Sequence, residues 1–452
     1  MAKKMTVYVP VGLLGYGFPV RSLEAAMAQE PDFIAVDAGS TDPGPYYLGA
    51  GVSFTSREMV KRDLSLIVPA ARGRNIPLII GSAGGAGGRP HLEWCLEILK
   101  EVTTECGLPL QTALIDAEQD KEYVKAKIRS GDVIDFEAGW TLTEEDVDES
   151  VRIVGQMGTE PVARAVEAGA DVVLAGRAFD AGLIAALPIQ AGFDPGLAYH
   201  MGKILECGSL IATPMEADGA IGILEDGHFL VKPADPEKTT NVRMVAAHTM
   251  YEKTNPMLLK VPGGTIDLRE AEYEQIDDRC VKVSRSHFIQ EPYTIKLEGA
   301  KLVGYRNVCV AGTRDPGMVE NIDEVINTVR EKLKRDLEGR IAEDEYQVIY
   351  HVYGKNGVMG ALEPQRNGTA HELGIVIETV AKTQQLADTV ASLARSSTLH
   401  CDYPGRIATA GNLAFISSPA EFPAGEVYEF NVYHLIRVDD PGEPFVTKTV
   451  QI

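Results

Sequence analysis

Short runs of consecutive apolar residues recur along the first two-fifths of the chain, and each is followed by a polar or glycine-rich segment. The runs lie at 33–36, 77–80, 112–115 and 172–175. They are too short for helices and have no polar alternation, so they predict strands covered on both faces, as in parallel sheets. Segments with helical spacing lie between them, at 56–72, 90–106 and 121–130. Strands alternating with helices predict βαβ units.

The whole pattern predicts an α/β fold with a Rossmann-like, mainly parallel and doubly wound sheet, followed by a β-rich region. The predicted domains are a βα-repeat domain at 1–185, a mixed α/β region at 186–365 and a small α+β domain at 366–452. The second boundary rests on the turn-rich sequence GALEPQRNG at 360–368.

Charge and cysteine content narrow the choice of partners and compartment. The 452 residues carry a net charge of −22, which argues against nucleic acid or an anionic membrane as a partner. Six cysteines are scattered without C-x-x-C spacing, as in a reduced cytoplasmic protein. We see no signal peptide and no apolar stretch of about 18 residues that could span a bilayer. We therefore expect a cytoplasmic protein.

Polar residues just after the predicted strands are the first candidates for a ligand site, because parallel strands deliver their C-terminal loops to one edge of a sheet. Asp37, Ser40, Thr41 and Asp42 follow the run at 33–36. They could bind a hydroxylated substrate, hold a metal ion or supply a general base. Helix capping and turn formation would equally explain them.

A glycine-rich loop, GSAGGAGG at 81–88, follows the next run and precedes Arg89. Such loops let backbone N–H groups approach an anion at a helix N-terminus. This loop is neither a Walker loop nor a G-x-G-x-x-G fingerprint, and a tight turn is the alternative explanation. We expect contacts with an anionic ligand from Ser82, Gly84, Gly85, Gly87, Gly88 and Arg89.

Two further strand ends carry candidate residues. Asp116 follows the run at 112–115, and Arg177 and Asp180 follow the run at 172–175. Arg177 has the geometry for a bidentate contact with a carboxylate or phosphate, although it could simply pair with Asp180 across one helical turn. Cys207 is a candidate nucleophile or a small buried apolar residue. The histidines show no H-x-x-x-H or H-E-x-x-H pair, so we expect no zinc site.

Four segments in a fixed order carry a family resemblance. They are AVEAGADVVLAGRAFDAGLIAAL, ILECGSLI, DGHFLVKPA and EPYTIKLEGAKLVGYRNV, within residues 75–340. Together they resemble the acyclic terpene utilisation (AtuA-like) family. The tail at 366–452 resembles the small ferredoxin-fold-like domain that accompanies that family. The resemblance implies an intracellular catabolic protein associated with the degradation of branched acyl-CoA or carboxylic acids.

These observations favour an enzyme that acts on a small carboxylic acid or acyl-CoA by hydration, dehydration or isomerisation, as a lyase or isomerase. Carboxylates, an arginine and anion-binding glycines are the groups needed to move protons beside an anionic group. The candidate catalytic residues are Asp37, Asp42, Asp116, Asp180 and Cys207. The candidate substrate-binding residues are Ser40, Thr41, Ser82, Gly84, Gly85, Gly87, Gly88, Arg89 and Arg177.

Two other function classes remain open. One is a non-catalytic subunit that binds acyl-CoA or a carboxylate for a partner enzyme. The other is a nucleotide-dependent dehydrogenase or kinase, which the lack of a complete fingerprint disfavours. The cofactor is open, with a divalent cation such as Mg²⁺ as a candidate, and no metal-ligating residues are assigned. We expect a homo-oligomer.

Overall fold

The chain divides into two compact units. The computed structural model describes residues 3–136, 138–250, 254–365, 368, 370–410 and 412–452. One unit comprises Met1–Lys301 and Phe430–Ile452, and the other comprises Leu302–Glu429. The three predicted domains, at 1–185, 186–365 and 366–452, remain a prediction. The predicted boundary after residue 365 adjoins residues 366, 367 and 369, which lie outside the described residues.

Strands and helices alternate through the first part of the chain. The strands are β1 (Lys4–Val9), β2 (Phe33–Asp37), β3 (Leu78–Gly81), β4 (Gln111–Asp116), β5 (Val133–Asp135), β6 (Ser150–Gln156), β7 (Val172–Ala175), β8 (Ala220–Glu225), β9 (His228–Pro233), β10 (Leu258–Val261), β11 (Gly264–Asp267), β12 (Glu272–Asp277), β13 (Cys280–Ser284), β14 (His287–Gln290), β15 (Thr294–Thr313), β16 (Tyr346–Tyr353), β17 (Leu373–Ala381), β18 (Ala414–Phe415), β19 (Glu421–Arg437) and β20 (Val446–Gln451). The helices are α1 (Val20–Met27), α2 (Pro45–Ala50), α3 (Arg57–Arg74), α4 (Arg89–Cys106), α5 (Lys121–Ser130), α6 (Glu144–Glu149), α7 (Glu160–Glu167), α8 (Asp180–Gln190), α9 (Pro195–Leu205), α10 (Val242–Thr249), α11 (Pro316–Glu320), α12 (Ile322–Leu337) and α13 (Gln384–His400).

The first unit is built on a ten-stranded sheet in the order β12-β13-β9-β8-β1-β2-β3-β7-β4-β20. Neighbours among β1, β2, β3, β7 and β4 run parallel. The other five strands join antiparallel, four beyond β1 and β20 beyond β4. The predicted α/β class is therefore confirmed. The Rossmann-like, mainly parallel doubly wound sheet is not, because half of the strands in this sheet are antiparallel.

Helices cover both faces of the parallel strands. Ile34 and Val172 pack in one apolar cluster with residues of α1, α3 and α4, whereas Ala35 and Val173 pack in another with residues of α7, α8 and α9. Successive side chains of a strand point to opposite faces, so the two clusters lie on opposite faces of the sheet. This two-sided burial explains why the predicted strands are almost entirely apolar.

A second strand pair of the first unit lies beside the loop after β7. β6 pairs antiparallel with the first part of β15, where Glu298 is opposite Val154. Just after β6, the Met157 N–H donates to the Arg177 carbonyl at 3.1 Å, and the Phe179 N–H donates to the Met157 carbonyl at 2.8 Å. These backbone bonds attach the loop after β7 to the end of β6.

The second unit is a small α+β structure. β15, in its part from residue 305 to 313, pairs antiparallel with β17, which pairs antiparallel with β16. Residues of α12 and α13 pack with Cys309, Ile375 and Ile377 of these strands in one apolar cluster. β17 and α13 lie within the predicted α+β domain at 366–452, but its ferredoxin-like fold remains a prediction.

No helix in the described part of the chain is long and apolar enough to cross a membrane.

Candidate functional site

The loops that follow the parallel strands meet at one edge of the ten-stranded sheet. The Leu14 N–H donates to the Asp37 carbonyl at 2.8 Å, and the Ser82 N–H donates to the Gly176 carbonyl at 3.0 Å. The Ala38 N–H donates to the Gly81 carbonyl at 2.9 Å. These bonds join the loops after β1, β2, β3 and β7.

Arg177 is the centre of a buried polar network at this edge. Its side chain is 3% exposed, and its Nε donates to Glu298 Oε2 at 2.8 Å. Its Nη1 donates to the Ala178 carbonyl at 2.8 Å, to Ser82 Oγ at 3.2 Å and to Asp180 Oδ1 at 3.3 Å. Nε and Nη1 of the guanidinium thus already have protein partners, and an exposure of 3% leaves little room for a substrate carboxylate. The pairing of Arg177 with Asp180, one of the two sequence-based alternatives, is present.

Glu298 connects Arg177 to a second cation. Its fully buried carboxylate also lies 2.7 Å from Lys296 Nζ. Burial opposes the ionisation of Glu298, but the neighbouring charges of Arg177 and Lys296 outweigh it and lower the pKa of Glu298 to about 2. The Lys296 ammonium also lies 4.5 Å from the centroid of the Tyr433 ring, a favourable cation–π position. Glu298 is therefore ionised at neutral pH.

Asp180 contacts Arg177, and Asp37 lies near enough for the charges of both to act on it; we call these two carboxyl groups the Asp37–Asp180 pair. Asp37 Oδ2 accepts the Gly39 N–H at 2.9 Å, whereas its buried Oδ1 has no hydrogen-bond partner among the described residues. Burial and the charge of Asp180 raise the pKa of Asp37 well above its usual value, although Arg177 opposes the shift. Burial also raises the pKa of Asp180, against the opposing charge of Arg177. The Asp180 side chain is 32% exposed, so solvent reaches this member of the pair.

Cys207 lies near the same pair, just after α9. Its Sγ is 3.6 Å from the position that a Cβ on Gly12 would occupy. Burial, followed by the charge of Glu206, raises the pKa of the Cys207 thiol to about 12. The thiolate is the nucleophilic form, so the raised pKa of the Cys207 thiol gives no support to Cys207 as a nucleophile. Lys203 and Glu206 form an ion pair next to it.

Asp116 lies in a separate group of charges. Arg89 Nε donates to Asp116 Oδ2 at 2.9 Å, and the Arg89 backbone N–H donates to Glu118 Oε2 at 2.9 Å. Arg152 Nε lies 3.8 Å from Glu118 Oε2. The structure gives Asp116 no direct contact with Asp37, Ser82 or Arg177. The carboxylate of Glu118 caps the N-terminus of α4, where we expected an anionic ligand.

Close packing of the loops accounts for much of the glycine content. A Cβ on Gly87 would lie 2.2 Å from the Arg177 backbone nitrogen, and one on Gly39 would lie 2.8 Å from Gly85 Cα. Gly84, Gly85 and Gly87 have φ values of 61°, 98° and 67°, which favour glycine. Gly88 precedes the first residue of α4. Anion binding by this loop remains a prediction.

The loop after β2 forms turns. Ser40 Oγ accepts the Asp42 N–H at 3.1 Å, and the carbonyl of the buried Thr41 accepts the Gly44 N–H at 2.9 Å. These bonds match the turn-forming alternative for Ser40 and Thr41. Asp42 is exposed, and its charge contributes to raising the pKa of Asp180. Among the described residues, no group of three or more His, Cys, Asp or Glu side chains is placed to hold a metal ion.

Glu298, Lys296 and Lys203 are not among the site residues predicted from the sequence. Lys296 and Glu298 alternate with Ile295 and Leu297 along β15, a pattern typical of a strand with one solvated face. Nothing in that pattern shows that the polar face meets a buried arginine. The only available signal was their position within the EPYTIKLEGAKLVGYRNV segment.

The comparisons with known proteins agree with the resemblance. The family model described as acyclic terpene utilisation family protein AtuA matches residues 57–416, about four-fifths of the chain. Comparisons with curated proteins and with solved structures gave no match. The matched range includes Arg177, Asp180, Cys207 and Glu298 but not Asp37. This chain therefore belongs to the acyclic terpene utilisation family.

Proposed function

We propose that this protein is a catabolic enzyme that transfers a proton beside the carbonyl group of a small carboxylic acid or acyl-CoA, as a lyase or isomerase. The proposal rests chiefly on the Asp37–Asp180 pair, in which burial raises the pKa of both carboxyl groups. Carboxyl groups whose pKa values move toward neutrality exchange protons with substrates at physiological pH. The family name adds the expectation of a branched, terpene-derived acid.

The two carboxyl groups have different roles in this proposal. Asp37 has the more strongly raised pKa, and its Oδ1 has no partner in the part of the chain that the structure describes, so it is the general acid. Asp180 is partly exposed and contacts Arg177, so it is the general base. Arg177 positions both groups and does not bind the substrate directly.

Arg89 is the better candidate for binding the anionic end of the substrate. Its side chain is 55% exposed, in contrast to Arg177, and it lies at the carboxyl edge of the parallel strands. A guanidinium with exposed donors binds carboxylate or phosphate in two-point geometry. The first turn of α4 adds a favourable dipole, which Glu118 partly uses.

Hydrogen–deuterium exchange tests the proposal without knowledge of the product. The purified protein is incubated in D₂O with a panel of branched acids and their CoA thioesters, with and without Mg²⁺, and exchange beside the carbonyl is followed by NMR. We expect exchange with the wild-type protein. Asp37→Asn and Asp180→Asn each lose about 10²- to 10⁴-fold in rate, which is the usual contribution of general acid–base groups.

Asp194→Asn is the matched control. Asp194 accepts the Gly196 and Leu197 N–H groups as the N-cap of α9, and asparagine caps helices equally well. This control retains the wild-type rate. Ligand binding without exchange or turnover in the wild-type protein would contradict the proposal and favour the non-catalytic binding subunit. Sedimentation of the same preparation checks the expected homo-oligomer.

A further inference from the structure

We propose that Glu298 and Lys296 are positioning residues that leave the Asp37–Asp180 pair with one proton and one negative charge. The inference rests on the proposed role of that pair, but its test needs no catalytic activity. Neither residue reaches the two carboxyl groups directly. Both act through Arg177, which contacts Glu298 on one side and Asp180 on the other.

Lys296 and Glu298 lie on the same side of β15 as Arg177. Lys296 and Glu298 are two residues apart on β15, so their side chains point to the same face of the strand. Glu298 lies between two cations, 2.8 Å from Arg177 Nε and 2.7 Å from Lys296 Nζ. Arg177 and Glu298 are 3% and 0% exposed, so solvent does not screen this contact.

The charges of Arg177, Lys296 and Glu298 do not cancel one another. Arg177 and Lys296 contribute two positive charges and Glu298 one negative charge, which leaves one positive charge uncompensated. An uncompensated buried charge is strongly unfavourable. One ionised carboxyl group of the Asp37–Asp180 pair restores neutrality, whereas two would exceed it. The pair therefore holds one proton and one negative charge.

The other charged or titratable groups near the pair do not alter this balance. Lys203 is paired with Glu206, and its charge lowers the pKa of Asp180 without adding a net charge to the group. Asp42 acts on Asp180 but is exposed, so water screens its charge. Burial keeps the Cys207 thiol protonated. Arg177, Asp42 and Lys203 thus act on Asp180 directly, and in this inference Glu298 and Lys296 act on the pair through Arg177.

Removing the negative charge of Glu298 and removing the positive charge of Lys296 should shift the pKa of Asp37 in opposite directions. Glu298→Gln leaves two uncompensated positive charges, so both carboxyl groups ionise and the pKa of Asp37 falls. Lys296→Met leaves none, so both remain protonated to higher pH and the pKa of Asp37 rises. The double variant restores the wild-type charge balance and returns the pKa of Asp37 toward its wild-type position.

The test is NMR titration of ¹³C-carboxyl-labelled aspartate in the full-length protein, with Asp37→Asn and Asp180→Asn for assignment. We expect the Asp37 midpoint to move in these directions by less than the roughly 1–3 pH units that a charge within about 4–6 Å causes, because Glu298 and Lys296 act through Arg177. Lys296→Arg keeps the charge and the wild-type midpoint. Since Lys296 is partly exposed, its two variants keep the test possible if Glu298→Gln does not fold.

Midpoints that stay unchanged, or that move in the same direction in both single variants, would overturn the inference. A double variant that fails to return toward the wild-type midpoint would do the same. If the midpoints behave as expected but no substrate exchanges its proton, the proposed function fails while the charge balance stands. The two conclusions are therefore tested separately.

Discussion

Arg177 and Arg89 lie at the same edge of the sheet but differ in what their side chains can do. Arg177 is 3% exposed and satisfied by protein partners, whereas Arg89 is 55% exposed. A buried guanidinium holds its neighbours in place, and an exposed one is available to an anion. At the scale of single residues, burial separates the positioning residues from those that can contact a ligand.

This difference predicts opposite effects for two substitutions. Arg177→Lys loses the multiple contacts of the guanidinium and leaves Glu298 poorly satisfied, so we expect the free energy of unfolding to fall by about 3 kcal/mol. Arg89→Ala should change it by less than about 1 kcal/mol, because exposed ion pairs contribute little, but it should raise KM. Urea unfolding and steady-state kinetics measure both effects. A stable Arg177→Lys protein with a raised KM would instead make Arg177 a direct substrate contact.

A second residue-scale prediction concerns His200, which is fully buried between Ser286 and Thr249. Burial lowers its pKa from 6.5 to about 3. Because protonation then favours the unfolded chain, the stability contributed by neutral His200 is present above pH 6.5 and is lost as the pH falls toward 3. NMR should show a neutral imidazole at pH 5 in the folded protein, and protonation there would contradict the prediction.

At the scale of elements, the strands that are covered on both faces could be predicted, and their antiparallel partners could not. β2, β3 and β7 are apolar at nearly every position because helices pack on both sides. β20 lies far along the chain, and nothing local to 446–451 indicates that it pairs with β4. The site residues likewise could be predicted only where they follow such strands. Asp37 and Arg177 follow recognisable strands, whereas Glu298 reaches Arg177 through a pairing of β15 with β6 that no local pattern shows.

Helix α3 holds the loop after β1 through Asp63. Its buried Oδ2 accepts the Gly15 N–H at 2.9 Å and the Gly17 N–H at 3.1 Å. Asp63→Ala leaves both donors without this acceptor, so we expect the free energy of unfolding to fall by about 2–3 kcal/mol. Hydrogen exchange at Gly15 and Gly17 should become faster, and less so in Asp63→Asn, which keeps an acceptor oxygen. Unchanged exchange in Asp63→Ala would show that other contacts hold this loop.

At the scale of the whole molecule, the net charge of −22 acts on every anionic ligand that approaches. The repulsion has a range of about 30 Å at 0.01 M salt and about 8 Å at 0.15 M salt. If the substrate is a carboxylate or acyl-CoA, its association rate should therefore increase with salt. Stopped-flow binding at several NaCl concentrations measures this, with an uncharged ester as control. A rate that falls with salt would point to a local positive potential around Arg89 that dominates the overall charge.

The glycine contacts between the strand-end loops also bear on how this protein could evolve. Because Gly39 and Gly87 bring two backbones together where no Cβ fits, substitutions there disturb folding before they alter ligand preference. Residues on the surrounding loops have more freedom, for example Tyr16 and Tyr46, which are 56% and 44% exposed. Directed evolution toward a new substrate should therefore gain more from libraries at 13–18 and 45–56 than from libraries at 81–88.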